Sequence, residues 1–452
     1  MASRTPYKKM RLIFALLAIP LCAQISVKDY GATGDGHTDD TPALQIALDT
    51  ACESGAAVRV PAGTYNIASP LITKCSLAIS GDGAATTAIV QTVHAKLNHA
   101  IIAPFPLALQ DITLRTAPLK TDKAMVAVFR KDEIQPESGP ALGQNFSFVR
   151  VHSSGFNFAI DIAGTGDTDT LGAVVVRDCD LAVSTEPRAV ANPVNVRDAE
   201  SLTVENSTLT GDGNNDHAIY LIGVRHVNIR NNTIRNHADS AVKLLTRGFR
   251  ERACPSRHDD YTSWTVADNI IDSSKFALAA YTYCDVHLPA LNISGNTITN
   301  IHDVNESDAA AMYIQATCRS VMENVALRNN VFRNISLSGV FLLSSIQGGR
   351  PCADLEARGT ITKFMSTGDR FINFSTAYPG MYSAISANGP NVIRVSVSNL
   401  TADGQGNGRK ALNLGSVANV QAIGTREMNL ANRAAALSEA AITRLLLSLH
   451  FW

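Results

Sequence analysis

A six-residue pattern recurs along this chain and limits it to very few folds. VRDCDL (176–181), VENSTL (204–209), IRNNTI (229–234), VADNII (266–271), ISGNTI (293–298) and LRNNVF (327–332) superimpose without gaps. Their last residues are spaced 28, 25, 37, 27 and 34 apart. A fixed core with variable insertions is the signature of a solenoid. VHSSGF (151–156) and VSVSNL (395–400) fit loosely, and MSTGDRF (365–371) fits with one extra residue.

Each copy is followed by a second apolar-alternating segment, in which Ile219/Leu221, Val242/Leu244, Leu278/Ala280, Met312/Ile314 and Val340/Leu342 share one face. A coil of roughly 25 residues cannot bury that face alone; stacked on copies of itself at the ordinary interstrand spacing of about 4.8 Å, it can. The fourth position of the pattern is Cys179, Ser207, Asn232, Asn269, Asn296 and Asn330. Asparagine tolerates the left-handed backbone of a tight corner, and equivalent asparagines on successive coils can bond as a ladder, so Asn232 is expected to be structural.

Composition adds limits. The formal net charge is −1. The first 23 residues hold Arg4, Lys8, Lys9, Arg11 and no acid, and without them 35 basic face 40 acidic residues, or −5. That argues against a nucleic-acid binder acting through bulk positive charge. The basic flank followed by LIFALLAIPLCA predicts a secretory signal peptide over 1–23, too short to be a comfortable membrane span, and hence a secreted, periplasmic or cell-surface protein without stable membrane insertion. Seven of eight cysteines follow it, and export permits disulfides. Cys52–Cys75 is one expected pair. Cys254, Cys284, Cys318 and Cys352 follow the same strand on four consecutive coils, with Cys254–Cys284 and Cys318–Cys352, or Cys284–Cys318, as the alternatives. Cys179, at a corner, is the expected free thiol.

The opening segment VKDYGATGDGHTDDTPALQIAL, then VPAGTY and ISGDG (79–83), predicts a glycine-rich loop, a helix capped by Asp40 or Thr41 with Pro42 in its first turn, a strand and a turn. Asp35, Asp39 and Asp40 read as loop and cap residues. These motifs resemble those that open the pectate lyase superfamily, shared with rhamnogalacturonases, polygalacturonases and some phage tailspikes. The resemblance covers about 60 residues in motif and extends through roughly residue 420 in repeat pattern. It implies an all-β, single-stranded right-handed parallel β-helix and action on, or binding to, acidic polysaccharides. The full expectation is about ten coils over 24–425 with an N-terminal helical cap. Residues 426–452, rich in Ala and Leu at helical spacing, form a C-terminal cap or a partner-binding tail.

The outward residues of the second apolar segment stack as Asp161, Asn195, Tyr220, Lys243, Ala279, Tyr313 and Phe341, with Arg197, Arg247, Tyr281, Tyr283 and Gln315 beside them. Asp216, His217 and Asp239 lie just upstream. A uronate polymer suits such a strip of aromatic, cationic and acidic groups. For β-elimination, Lys243, Tyr220 or His217 takes the proton while Arg247 and Arg197 hold the carboxylate. Asp161, Arg197, Tyr281 and Tyr313 are the expected substrate contacts. No cofactor or dedicated metal site is required, though calcium on Asp161 or on Asp216/Asp239 is admitted. For hydrolysis, Asp216 and Asp239 on neighbouring coils are the carboxyl pair. Polygalacturonase-like hydrolases carry Asn-Thr-Asp, Asp-Asp, His-Gly and Arg-Ile-Lys on successive coils. Here Asp216 is followed by His217, Ser240-Ala241 stands at the His-Gly place, and no RIK occurs, so elimination is favoured over hydrolysis. A non-catalytic glycan-binding solenoid is the remaining alternative.

Overall fold

The computed structural model describes residues 23–92, 99–116, 126–130, 144–164, 170–183, 190–246, 261–302, 310–345, 358–415, 417 and 419–430. The signal-peptide expectation over 1–23, Arg247, Cys254, Cys352 and the segment 431–452 fall outside that set, apart from Ala23.

The repeat folds as stacked parallel strands. In one coil, His226–Arg230 pairs parallel with Ala199–Glu205 before it and Ser263–Ala267 after it. The chain turns and runs through Thr233–Leu245, whose first half pairs with Thr208–Thr210 and whose second half pairs with Ile219–Ile222. The same strand pairs on its other side with Ile270–Thr282, slipping register between His237 and Ser240. Three parallel ladders result, and the fold is a parallel β-helix. Among the described residues the first ladder runs from Gln24–Ser26 to Asn419–Ile423 through fourteen strands. The third runs from Leu71–Ile72 to Leu412–Asn413 through twelve. The stack is therefore taller than the ten or so coils expected, because the coils before Val176 and after Phe332 carry the pattern too weakly to be counted from sequence.

Inside the coils, identical positions pile on one another. Val204, Ile229, Val266, Ile293 and Leu327 form one interior column, each at most 1 % exposed. Phe332 and Phe371 stack with centroids 4.4 Å apart. Burying each such side chain contributes about 1.5–3 kcal/mol, which an isolated coil would forgo.

The corner between the first two ladders departs from expectation in an instructive way. The left-handed residue is the third of the pattern, not the fourth: Asp178, Asn206, Asn231, Asp268 and Asn329 have φ between 52° and 56°, and Gly295 has 65°. The fourth position turns inward and carries the ladder. The amide oxygen of Asn269 accepts from both the backbone N–H and the Nδ2 of Asn232, each at 3.0 Å. Asn296 does the same for Asn269, and Asn330 for Asn296. Each of these four Nδ2 groups also donates to a main-chain carbonyl of the preceding coil. The ladder ends on Asp369, whose Oδ1 accepts both donors of Asn330. The left-handed positions also correct three looser copies. Arg150 (φ 53°), Gly368 (70°) and Asn399 (52°) are third residues, so the true copies are 148–153, 366–371 and 397–402.

At the N-terminal end, Leu44, Ala47, Leu48 and Ala51 of the helix Thr41–Ser54 join the main core. Asp40 precedes the helix but bonds backward: its carboxylate accepts from the Thr33 and Gly34 N–H groups. Asp35 accepts from the backbone of Thr38 and His37, which holds its carboxyl well below the usual range. Gly34 has φ +62°, and a Cβ there would come within 2.7 Å of the Tyr65 ring. Loop glycine and VPAGTY tyrosine are thus two halves of one contact. Cys52 and Cys75 are disulfide-bonded, Cys284 and Cys318 are each in a disulfide, and Cys179 is a buried free thiol that burial pushes up to about 11.

Two substitutions test the ladder. Asn269→Ala orphans buried donors on Asn232 and an acceptor on Asn296, and is expected to lower the unfolding free energy by about 3 kcal/mol in denaturant titration. A loss below about 1 kcal/mol would mean the ladder is dispensable. Burial pushes the Asp369 carboxyl up, and its bonds from Ser366 and Asn330 offset only part of that. A raised folded-state value stabilises below the unfolded pKa near 3.9 and is lost as pH rises through the folded value. Asp369→Asn is therefore expected to melt with the parent in acid and above it at neutral pH. A difference independent of pH would contradict this account.

Candidate active site

The outer face of the third ladder carries the strip read from the sequence, in the same register. Asp161, Asn195, Tyr220, Lys243, Ala279, Tyr313 and Phe341 are successive Cα partners. Two positions along, Arg197 and Ile222 pair, then Leu245, Tyr281 and Gln315. Period-two alternation forces this: Ile219, Leu221, Val242 and Leu244 fill the interior, so Tyr220 and Lys243 face out.

Around Tyr220 and Lys243 the structure brings together five of the six expected catalytic residues. His217 is only 2 % exposed, and its ring stacks on Tyr220 with centroids 5.0 Å apart and planes 22° apart. Its Nε2 lies 3.4 Å from an Asp216 oxygen, and its Nδ1 lies 3.6 Å from Asp239 Oδ2. The Ser240 N–H donates to that Nδ1 at 3.2 Å, which places the ring proton of a neutral His217 on Nε2, toward Asp216. Lys243 Nζ sits 3.3 Å from Asp239 Oδ2 and 6.0 Å from the Tyr220 ring centroid. Burial raises the Asp239 carboxyl, but the charges of His217, Lys243 and Lys275 and the bond from Lys243 outweigh it, leaving the group below its ordinary value. Asp216 and Asp239 side chains keep 37 % and 30 % exposure, so both carboxylates face solvent over a buried imidazole.

The flanks differ in kind. Upstream, Asp161 is 8 % exposed and accepts from Asn195 Nδ2 at 2.7 Å. The Oδ1 of Asn195 and the Nε of Arg197 are buried without hydrogen-bond partners. Downstream the strip is aromatic. Tyr281 lies 5.5 Å from Tyr313, and Tyr313 lies 5.4 Å from Phe341. Burial drives the Tyr281 and Tyr283 hydroxyls well above their ordinary value, so both stay protonated.

Two expectations can be set beside this geometry. His217, one of the candidate bases, lies stacked on Tyr220 with its Nδ1 accepting from the Ser240 N–H. Calcium fits poorly. Asp216, His217 and Asp239 offer one ligand atom each within 4.8 Å of one another, but calcium takes six to eight oxygens. Here one donor is nitrogen, and Lys243 already neutralises Asp239. Asp161 is committed to Asn195. Sequence reasoning missed Asn192, whose Oδ1 accepts from the His217 N–H at 2.9 Å, and Ser240. Stepping back three residues from Asn195, as His217 stands to Tyr220, would have found Asn192.

Comparison with known proteins agrees with this architecture. Residues 24–108 match the family described as rhamnogalacturonase A/epimerase, pectate lyase-like. Alginate lyase 7 of Azotobacter vinelandii is 40% identical over 74 residues, 15% of this chain and 9% of that protein. Plasmin and fibronectin-binding protein A of Streptococcus pneumoniae is 24% identical over 393 residues, 83% of this chain and 45% of that protein. The chain thus spans less than half the length of either relative. Among solved structures, the A-module of the mannuronan C-5 epimerase AlgE6 of Azotobacter vinelandii superimposes with a TM-score of 0.55 at 14% identity, over 91% of this chain and 100% of that module. No helix of the described residues is long and apolar enough to cross a membrane. The three-ladder stack is a parallel β-helix, and the similarity to the rhamnogalacturonase A/epimerase, pectate lyase-like family lies in its first four or so coils.

Proposed function

We propose that the chain acts on an acidic, uronate-containing polysaccharide laid along the outer face of the third ladder, and cleaves it by β-elimination. The observation that carries this reading is Lys243, fixed beside Tyr220 by a carboxylate that stays ionised. Held 3.3 Å from Asp239 Oδ2 and beside the Tyr220 ring, Lys243 is assigned as the cation that neutralises the uronate carboxylate rather than as the base. Arg197, two rungs upstream of Lys243 and two positions along the strand, is assigned the second contact to that carboxylate. Tyr220, one rung from Lys243 and acting as the phenolate, then removes the proton beside the carboxylate and becomes the neutral phenol. The electron pair forms the new double bond and expels the glycosidic oxygen, which leaves with a proton returned from Tyr220. His217, stacked beneath, holds the phenol ring in place. Cation and base act together where charge develops, the arrangement that lowers such a barrier most.

Alginate lyase and mannuronan epimerase, named among the proteins similar to this one, act on uronate polymers, which supports the substrate class. Disulfides at Cys52–Cys75 and at Cys284 and Cys318 support a secreted, periplasmic or cell-surface location. The hydrolase alternative draws on the nearness of Asp216 and Asp239, but Asp216 is followed by His217, Ser240-Ala241 stands at the His-Gly place and no Arg-Ile-Lys occurs. The non-catalytic alternative has one specific support: the relative matching most of this chain is named as a binding protein.

Two measurements decide. The purified chain is incubated with pectins, alginates and glycosaminoglycans, with and without calcium. Ultraviolet-absorbing unsaturated ends are expected, with a loss of at least about 10²-fold in Lys243→Ala. New reducing ends without unsaturation would establish hydrolysis, and bound but uncut polymer would establish the binding role. Independently, Lys243→Gln removes a cation that lowers the Asp239 carboxyl. Its titration, followed by carboxyl carbon NMR, is expected to move to higher pH. An unmoved midpoint would detach Lys243 from Asp239 in solution and remove the basis for its role.

A further inference from the structure

Charge is divided unevenly along the stack. Residues 24–323 hold 23 basic and 34 acidic side chains, a formal −11, whereas residues 324–430 hold 10 basic and 5 acidic, a formal +5. The earlier coils pair their cations: Arg59, Arg150, Arg177 and Arg225 each bond an acid on a neighbouring coil. Ion pairs between described residues stop at Arg319–Asp285 and His287–Glu323. Beyond them the described acids are engaged otherwise. Asp369 is buried on Asn330 and Ser366, Asp403 accepts from Asn429 Nδ2 at 3.0 Å, and Glu427 accepts from the Ala411 N–H at 2.6 Å.

Six cations gather where the first and second ladders meet. Lys363 and Arg394 are Cα partners on the first ladder, so their side chains project side by side, one rung of about 4.8 Å apart. Arg328 ends a strand of that ladder one coil earlier, in the column that continues as Thr367 and Ser398. Past the corner, on the second ladder, Arg370 pairs with Thr401 and Thr401 with Arg426, two rungs or about 10 Å in all. Arg333 stands two positions along from Val331, the partner of Arg370. The five arginines are exposed and Lys363 is half-buried, and none of the six is in an ion pair among the described residues. The Tyr220–Lys243 strip lies on the third ladder, a different wall. Cations repeating with the coil spacing match a linear polymer that carries a negative charge on each unit, and raise its concentration at the surface. Two features select a carboxylated glycan over a nucleic acid. No aromatic ring faces out from these strands to stack a base, since Phe332, Phe364, Phe371 and Phe374 are all interior. Hydroxyls stand among the cations, Thr401 between Arg370 and Arg426, and Thr367 and Ser398 with their oxygens 3.0 Å apart, suited to sugar hydroxyls. We infer that the C-terminal coils carry a second, non-catalytic surface, centred on Arg328, Arg370, Arg394 and Arg426, that holds a carboxylated polysaccharide while the third ladder acts on it. The carboxylate chemistry rests on the uronate reading above; the anionic character rests on the cations alone.

The full chain is compared with two fourfold variants at Arg328, Arg370, Arg394 and Arg426, one with every arginine changed to Gln and one with every arginine changed to Lys. Binding of sodium polygalacturonate, sodium alginate, neutral dextran and linear polyphosphate is followed by affinity electrophoresis, with Lys243→Ala in all three chains to prevent turnover. At low salt the Gln variant is expected to lose at least about tenfold in affinity for a uronate polymer, and dextran to bind none of the chains. The Lys variant, which keeps the charge, is expected to bind like the parent, so that a loss in the Gln variant reports charge rather than unfolding. Equal affinity in parent and Gln variant would overturn the inference, and unsaturated ends formed by the chain with Lys243 intact would then leave the cleavage reading standing. Arginine-dependent binding without such ends would do the reverse. Tighter arginine-dependent binding of polyphosphate would overturn the glycan assignment. Arginine-dependent self-association in light scattering, with no polymer bound, would give this surface to the acidic coils of a second copy.

Discussion

Every feature of this molecule depends on one constraint: each coil must present its backbone to the next in parallel register, at a spacing that leaves no room for an unsatisfied group. The interior asparagines meet it at the tightest corner. A side-chain amide carries one acceptor and two donors, which is what a buried bend between parallel coils leaves unpaired. Asn232, Asn269, Asn296 and Asn330 use all of them, upward to the next amide and back to a main-chain carbonyl. Replacement by a hydrocarbon would fill the space but strand the donors. Asp369 ends the series because the last member needs only to accept, and a carboxylate accepts at a price in burial.

Much of this was legible in the sequence, for a physical reason. A solenoid converts sequence periodicity directly into spatial adjacency, so alignment of the copies placed Tyr220 beside Lys243 and Tyr313 beside Phe341 before any coordinates. The corner was misassigned by one residue because both middle positions of IRNNTI are asparagine. One is left-handed and exposed, the other inward and buried, and only Asp178, Asp268 and Gly295 at the third position separate the two roles. The coil count failed where the pattern decays, as at 148–153, whose corner residue is an arginine with φ 53°.

The site was legible in placement but not in depth. Sequence alone puts His217 and Asp239 near Tyr220, yet it cannot say that the imidazole lies beneath the phenol ring with its Nδ1 taken by Ser240. That contact crosses coils and rests on where one backbone N–H points. It underlies the roles proposed for three side chains: His217 as a support, Lys243 as the cation and Asp239 as its partner.

The corner between the first and second ladders has one more implication. From Asp178 onward a single left-handed residue stands between each first-ladder strand and the next, as between Arg230 and Thr233, so that bend keeps one length there, whereas 82–86 lengthen it near the N-terminus. The third ladder is different, since the connections on both of its borders vary from coil to coil. Residues 211–218 precede one of its strands and 375–384 another, while 198, 223–225 and 283–286 follow others. Among the described coils from Asp178 onward, differences in length therefore gather at the two rims of a single wall, the wall that bears Tyr220 and Lys243. The corner opposite keeps its length through those coils, so what surrounds these two side chains can change without altering the turn that holds the stack.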